Sequence, residues 1–362
     1  MADYQILWAS LGDRNTILGE LPVTSFEYSD VLNAPGDISG TVHLNPYPDH
    51  PTLFTQDNFR EADTVLYVIR DGVPMWGGIM WGWRANVNTD TVSFTGEGWH
   101  SYIRRRVLNA TSTSTALDQA EIAERILTNT IDAADPLDIQ FNMDDTGVTR
   151  DRTYYWWEGK NAGEALEQLA AVENGFDFYW STGGTPGAFT VTFNLLYPTT
   201  GRETNHVFEL GTNVSFVTYS SDGKAITTRI LGFGTGQGAS TLYSTAYDPG
   251  AFGFEGGTRS YQLLEDVASW PDVVQQDTLD EHVARRLTES ITPSRLIVLN
   301  HYPGTEPRLG TYAIGDQCTV TASRGFIQMD RELHRIVERR VTVDDNGGES
   351  VQLTLAPIGL FG

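Results

Sequence analysis

The stretch Ala62-Asp-Thr-Val-Leu-Tyr-Val-Ile-Arg-Asp-Gly-Val-Pro-Met-Trp-Gly-Gly-Ile-Met-Trp-Gly-Trp83, continued by Arg84-Ala-Asn-Val-Asn-Thr-Asp-Thr-Val-Ser-Phe-Thr-Gly-Glu-Gly98, holds two strand-turn-strand signals in succession. Thr64, Leu66, Val68 and Arg70 alternate with Val65, Tyr67 and Ile69 up to Asp71-Gly72, and an apolar, aromatic run resumes at Val73. Asp-Gly between two such runs is the strongest short-range hairpin signal. A second hairpin runs from Ile79–Trp83 through the polar turn around Asn86–Asp90 into Thr91–Gly98. Pro74 has no N–H to give a ladder, so it belongs at a strand start, an edge or a bulge. Gly77, Gly78 and Gly82, set among Trp76, Trp81 and Trp83, mark bends or close approach of another backbone. That is how a sheet curls into a small barrel.

The chain of 362 residues has room for several domains, and 36 glycines with 15 prolines suit a turn-rich, mainly β protein. Its 24 Lys and Arg against 47 Asp and Glu give a net charge of −23. A field of that sign repels phosphate backbones, which disfavours ordinary nucleic-acid binding but suits a duct through which DNA passes without sticking. The start, MADYQILWASLGDRN, has no basic segment followed by an apolar run, so no signal peptide is expected. No apolar stretch approaches the roughly 20 residues of a membrane helix, so no stable membrane association is expected. The single cysteine, Cys318, allows no intrachain disulfide, fits synthesis in a reducing cytoplasm, and reads as a buried structural thiol.

In chain order, Tyr4–Trp8, Leu21–Tyr28 and Ile38–Leu44 read as strands, with a rigid proline-rich connection at 45–51, so residues 1–98 form one β domain of about six strands. Arg104, Arg105 and Arg106 make a basic seam, either a charged face or a subunit contact. Thr115–Asn129 carries an apolar stripe at helical spacing, as does Ala162–Val172, which Asn174-Gly175 closes. Between them Asp132–Arg152 reads as acidic loop. The cluster Tyr154, Tyr155, Trp156 and Trp157 is expected in the core or in an interface. Phe176–Trp180, a turn at Gly183–Gly187 and Phe189–Leu196 form a hairpin, which makes 99–205 an α+β domain. Residues 206–238 with 306–362 read as a second β domain, ending in a hairpin turned at Asp344–Gly348. Residues 239–305 are an insertion with one helix, Val273–Leu287.

Little in the chain points to chemistry. The glycines of Gly232–Gly238 have dinucleotide-loop separations, but an extended segment follows where the fingerprint needs a helix. The seven histidines show no metal spacing, and there is no nucleophile elbow. No catalytic, cofactor or metal residues are therefore assigned, and the chain reads as non-enzymatic.

The run from Asp63 to Gly82, together with Phe208-Glu-Leu-Gly-Thr-Asn-Val214 and Leu333-His-Arg-Ile-Val-Glu-Arg-Arg-Val-Thr-Val-Asp-Asp345, resembles minor tail proteins of long-tailed phages (siphoviruses) infecting actinobacteria. These belong with the tail-hub family, related to the hub of contractile baseplates. The resemblance implies two related small β-barrel domains per subunit and a homotrimer whose six barrels match the sixfold tail tube or distal tail ring. The other domains, 99–205 and 239–305, would lie on the tip side. Implied partners are the distal tail protein, the tape measure protein, and central fibre, receptor-binding or other minor tail proteins. DNA is met only in passage during ejection and host entry. The implied location is the virion tail tip or baseplate, after synthesis in the host cytoplasm. Some relatives end in a cell-wall hydrolase; with Gly362 just after the second barrel, none is implied here. Arg104–Arg106, Trp76, Trp81, Trp83 and Tyr154–Trp157 are the candidate interface residues. A receptor- or carbohydrate-binding adaptor is the competing reading and expects Tyr154–Trp157 exposed over a shallow groove, whereas the hub reading buries them.

Overall fold

The computed structural model describes residues 2–44, 54–129, 137–172, 174–198, 201–248, 262–271, 273, 275–291 and 294–358. The connection at 45–51, part of the acidic loop and residues 249–261 of the insertion lie outside the described residues. Seven strands come first: β1 (Tyr4–Ser10), β2 (Asp13–Leu21), β3 (Val23–Val31), β4 (Asp37–His43), β5 (Thr64–Arg70), β6 (Val73–Asn86) and β7 (Thr91–Gly98). An α+β stretch follows: α1 (His100–Ile103), β8 (Ser112–Asp118), α2 (Gln119–Asn129), β9 (Ile139–Asn142), β10 (Thr149–Tyr154), α3 (Ala162–Ala170), β11 (Asp177–Thr185) and β12 (Ala188–Leu196). Then come β13 (Val207–Glu209), β14 (Val214–Asp222), β15 (Arg229–Phe233), β16 (Tyr243–Tyr247), β17 (Glu265–Ser269) and α4 (Gln276–Ser290). The last strands are β18 (Ser294–His301), β19 (Gln317–Arg324), β20 (Ile327–Val343) and β21 (Glu349–Pro357). The protein is mainly β, and it divides into two compact units, residues 1–218 with 297–362 and residues 219–296.

The opening hairpins form as their residues dictate. Arg70 pairs with Val73 across a two-residue turn in which Asp71 (φ 49°) and Gly72 (φ 79°) both take positive φ, the geometry that matches strand twist. Met75 is unpaired in the ladder, so Pro74 sits beside a bulge. The glycines divide by cause. A Cβ on Gly78 would lie 2.3 Å from the Glu97 carbonyl, and one on Gly98 would lie 1.9 Å from the Pro35 carbonyl, so both stand where backbones approach closely. Gly82 has no neighbour nearer than 3.5 Å; it follows the bulge at Trp81, which has no partner between Met80↔Gly96 and Gly82↔Thr95.

Among the described residues 13 strands share one sheet, along the path β14-β18-β21-β20-β3-β4-β7-β6-β5-β1-β2, with β19 attached to β20 and β13 to β19. The strands of residues 1–98 and those of the second expected barrel other than β15 thus lie in one sheet, together with β18 from the expected insertion, and its order is an open path; β15 pairs with β16 and β17 instead. The sheet curls: Trp76 Nε1 donates to Ser29 O at 3.0 Å although β6 and β3 are separated by β7 and β4. Arg70 on β5 holds Glu349 on β21 bidentately at 2.7 and 3.0 Å. The 17-residue β20 is the link, pairing its first half with β19 and its second with β3.

One core cluster runs from Leu7, Val65 and Tyr67 through Trp99, Ile126 and Leu166 to Phe178 and Phe193, so the α+β stretch shares its interior with the first strands. Tyr67 stacks on Phe189 at 4.0 Å, and Arg14 donates to Phe189 O at 2.8 Å. Strand β2 breaks the apolar alternation, with Arg14 buried by these carbonyl contacts. The first helix of the sequence reading, Thr115–Asn129, begins later than expected, at Gln119, because residues 112–118 pair with β10 as β8. The turn in the Phe176–Leu196 hairpin is only Pro186-Gly187, since β11 runs on through Gly183-Gly184. Cys318 is buried and free, and burial raises its thiol pKa.

In the smaller unit β15 pairs with β16 and β17, and α4 packs Leu279, Val283 and Leu287 against Ile230. A Cβ on Gly232 would meet Val283 at 2.1 Å, so this glycine admits a helix. A short 3-10 turn and β16 follow the glycine run, the extended continuation the sequence predicts.

Substitution separates the two kinds of glycine. Gly98→Ala should lower stability in denaturant unfolding by about 1–3 kcal/mol, the range of overpacked sites. Gly82→Ala should change it by less than about 1 kcal/mol.

Candidate interaction site

The bulge in β6 carries the argument from sheet to site. A bulge re-aims the extra side chain, and here Trp81 turns toward α1 and α3, its Nε1 donating to Ser101 Oγ at 2.9 Å. Helix α3 starts at Asn161, whose side chain accepts from Glu164 N at 3.1 Å and donates to Arg104 O. That cap satisfies an orphan amide of the first turn. Gly163 lets the end of α1 lie on α3, since a Cβ there would sit 2.6 Å from Arg104 Cγ. Between these elements lies a groove of about 570 Å³ lined by Trp81, Glu97, Ser101, Arg104, Arg105, Asn161, Glu164 and Glu167.

The charges of the groove are partly spent. Arg104 Nε and His100 Nε2 each lie 2.7 Å from Glu167 Oε1. His100 is fully buried between the rings of Phe178 and Trp180, and burial lowers its pKa, so the ring is neutral at pH 7 and donates from Nε2. Its Nδ1 is buried with no partner among the described residues. The His100 hydrogen bond, aided by Arg104 and opposed by burial, draws the Glu167 carboxyl down to about 2. Glu164 meets only Lys160, at 3.6 Å. Glu97 and Arg105 are exposed and have no side-chain partner among the described residues. The groove therefore offers an aromatic wall and, unpaired among the described residues, the carboxylate of Glu97 and the guanidinium of Arg105.

The sequence-predicted interface residues fall in different places. Trp81, Arg104 and Arg105 come together in the groove. Arg106 lies over the Tyr102 ring at 5.8 Å. Trp83 is half-buried, with a buried Nε1 that has no partner among the described residues. Trp76 belongs to the core at 3% exposure, so it has no face to offer a neighbour. Tyr154 packs half-buried against the core, but Tyr155, Trp156 and Trp157 stand out, the tryptophans 60% and 62% exposed. The expectation of a core position fails for these three because the turn at Trp156–Glu158 lifts them off β10. Tyr155 and Trp157 stack at 4.4 Å, and Trp156 meets Trp157 edge-on at 6.0 Å. Sequence reasoning missed Glu97, His100, Asn161, Glu164 and Glu167; the capping pattern at Asn161 was the one local signal.

Among the described residues no cluster of His, Cys, Asp and Glu has the makings of a metal site. No family model matches the sequence, and no curated protein matches it. Solved structures do. The fold is that of phage tail proteins. The chain resembles the 43 kDa tail protein of prophage MuSo2 from Shewanella oneidensis, at 12% identity and a TM-score of 0.67, across 99% of this chain and 100% of that one. It also resembles the tail protein from Neisseria meningitidis MC58, at 11% identity and 0.63, covering 99% and 98%. Prophage tail protein gp18 from Listeria monocytogenes EGD-e is similar at 14% identity and 0.57, covering 97% and 94%.

Acid should weaken this corner of the molecule. The Glu167 carboxyl is depressed from 4.5 to about 2, so its contribution is whole above pH 4.5 and is lost as pH falls through about 2. Glu167→Gln should flatten that part of the pH dependence in unfolding experiments, and at pH 7 it should cost about 1–3 kcal/mol.

Proposed function

We propose that the chain is a structural virion protein forming the trimeric hub at a phage tail tip. The observation that carries this is the end-to-end likeness to the Shewanella tail protein, with nearly the whole of both chains superposed. In this reading the chain is non-enzymatic. It joins a sixfold tail tube or distal tail ring to threefold tip and fibre proteins, and it surrounds the DNA exit channel. The strands of 1–98 and of 206–238 with 306–362 form the ring, and 99–205 and 239–305 lie on the tip side. Distal tail, tape measure and receptor-binding proteins are its neighbours, and the particle is a long-tailed phage of an actinobacterial host. The net charge of −23 suits a lumen that DNA crosses without adhering. Cryo-electron microscopy of the native particle tests this: the expected result is threefold density at the tail tip with this chain around an axial channel. Density at the particle periphery, away from the axis, would overturn it.

The exposed stack of Tyr155, Trp156 and Trp157 favours a second reading, a receptor- or carbohydrate-binding adaptor, because rigid aromatic faces suit sugar rings and protein partners alike. The double substitution Trp156→Ala with Trp157→Ala separates the two. Under the hub reading fewer complete tails should form. Under the adaptor reading tails should form in normal number and adsorb to cells at least about tenfold less well.

A further inference from the structure

The β19–β20 hairpin ends in the two-residue turn Gly325-Phe326, with Arg324 paired to Ile327. Phe326 is 100% exposed, a phenylalanine held at the tip of a hairpin with nothing against it. Below it the ladder is interrupted between Val320 and Ala322, where Asp330 and Arg331 of β20 stand against Thr321 alone and Arg331 takes a φ of 55°. Arg324, Asp330 and Arg331 are all exposed, and none has a side-chain partner among the described residues. In a protein with nearly twice as many acids as bases, the end of this hairpin sets Arg324 beside an aromatic tip, while Arg331 further down is balanced by Asp330 and Glu332.

The groove beside Trp81 complements that tip. The Trp81 indole N–H is tied to Ser101, which fixes the ring, and the lining carries the carboxylate of Glu97, unpaired among the described residues, and that of Glu164, which shares Lys160 at 3.6 Å. Arg105 in the lining is opposite in sign to Asp330 and Glu332 of the hairpin. An arginine and an aromatic ring brought to a fixed indole gain stacking and cation–π contact as well as charge pairing.

We propose that the Arg324–Phe326 finger of one copy of this chain docks in the Trp81–Glu97–Glu164 groove of the next copy. The contact is heterologous, finger to groove, and such contacts generate closed rings when the rotation closes. Both halves of the contact lie on every subunit, so each copy gives a finger and receives one. The proposal rests on the hub reading, which supplies the ring, but it names the surface that closes it.

The test uses full-length chain assembled into phage particles. With Phe326→Cys and Glu97→Cys in the same chain, mild oxidation should yield disulfide-linked dimers and trimers, and neither single variant should. Cys318 is buried and does not compete. Particles that show the chain as a threefold ring but give no linkage would overturn the docking and leave the hub reading standing; the chain found off the threefold axis would overturn both. Charge exchange is the second measurement. Arg324→Glu and Glu97→Arg should each reduce incorporation into particles by roughly tenfold, and together they should restore it. Single variants that assemble like the parent, or a double variant that does not recover, would overturn the proposal. Both side chains are exposed, so the thermal midpoint of the isolated protein should not move.

Discussion

Asp30 and Arg339 face each other across the ladder that joins the N-terminal strands to the C-terminal ones. Arg339 donates to Asp30 Oδ2 from Nη2 at 2.6 Å and from Nε at 3.2 Å, and from Nη1 to the Tyr312 carbonyl at 3.4 Å. The guanidinium is 8% exposed. Backbone hydrogen bonds alone tolerate many alignments of β3 on β20, and apolar alternation rejects only odd slips. A buried ion pair rejects the even ones too. Displacing it strands an uncompensated charge, which costs about 3–5 kcal/mol in comparable pairs. Arg340 next door reaches Glu27 and Asp37 at 3.3 Å, and Glu349 binds both Arg70 and the Tyr4 hydroxyl. The join is thus specified by charge on both sides of the sheet.

The groove repeats that logic at lower burial. Glu167 gathers His100 and Arg104 and so ties α3 to α1, while the bulge at Trp81 turns an aromatic ring into the same space. Structural charge pairs hold the floor, while Glu97 and Arg105 stay exposed without a side-chain partner among the described residues.

How much of this was legible depends on how far apart the causes lie in sequence. The hairpins from Thr64 to Gly98 follow from alternation and Asp71-Gly72, which are local, and so does α3 with its cap at Asn161. Strand β2 was not legible: Asp13, Arg14, Asn15 and Thr16 are all polar and no strand is expected there, yet Arg14 is buried where the carbonyls of Phe189 and Asp138 receive it. Residues 112–118 look helical beside the stripe of α2, but pairing with 149–154 overrides that preference. The aromatic run at 154–157 reads as core on composition, and a turn at Trp156 puts three of its rings outside. Of the groove, Trp81, Arg104 and Arg105 were visible as residue types. The glutamates were not, because acids are common in this chain and only the fold says which ones converge.

The β3–β20 ladder sets a schedule as well as a shape. Residue 30 leaves the ribosome about 300 residues ahead of its partner at 339, and at roughly 5–20 residues per second that is a wait of about 15–60 s. Throughout it, one edge of β3 is an open template for any other strand. Its acidic residues, Glu27 and Asp30, leave that edge carrying like charge until the arginines of β20 arrive to neutralise them.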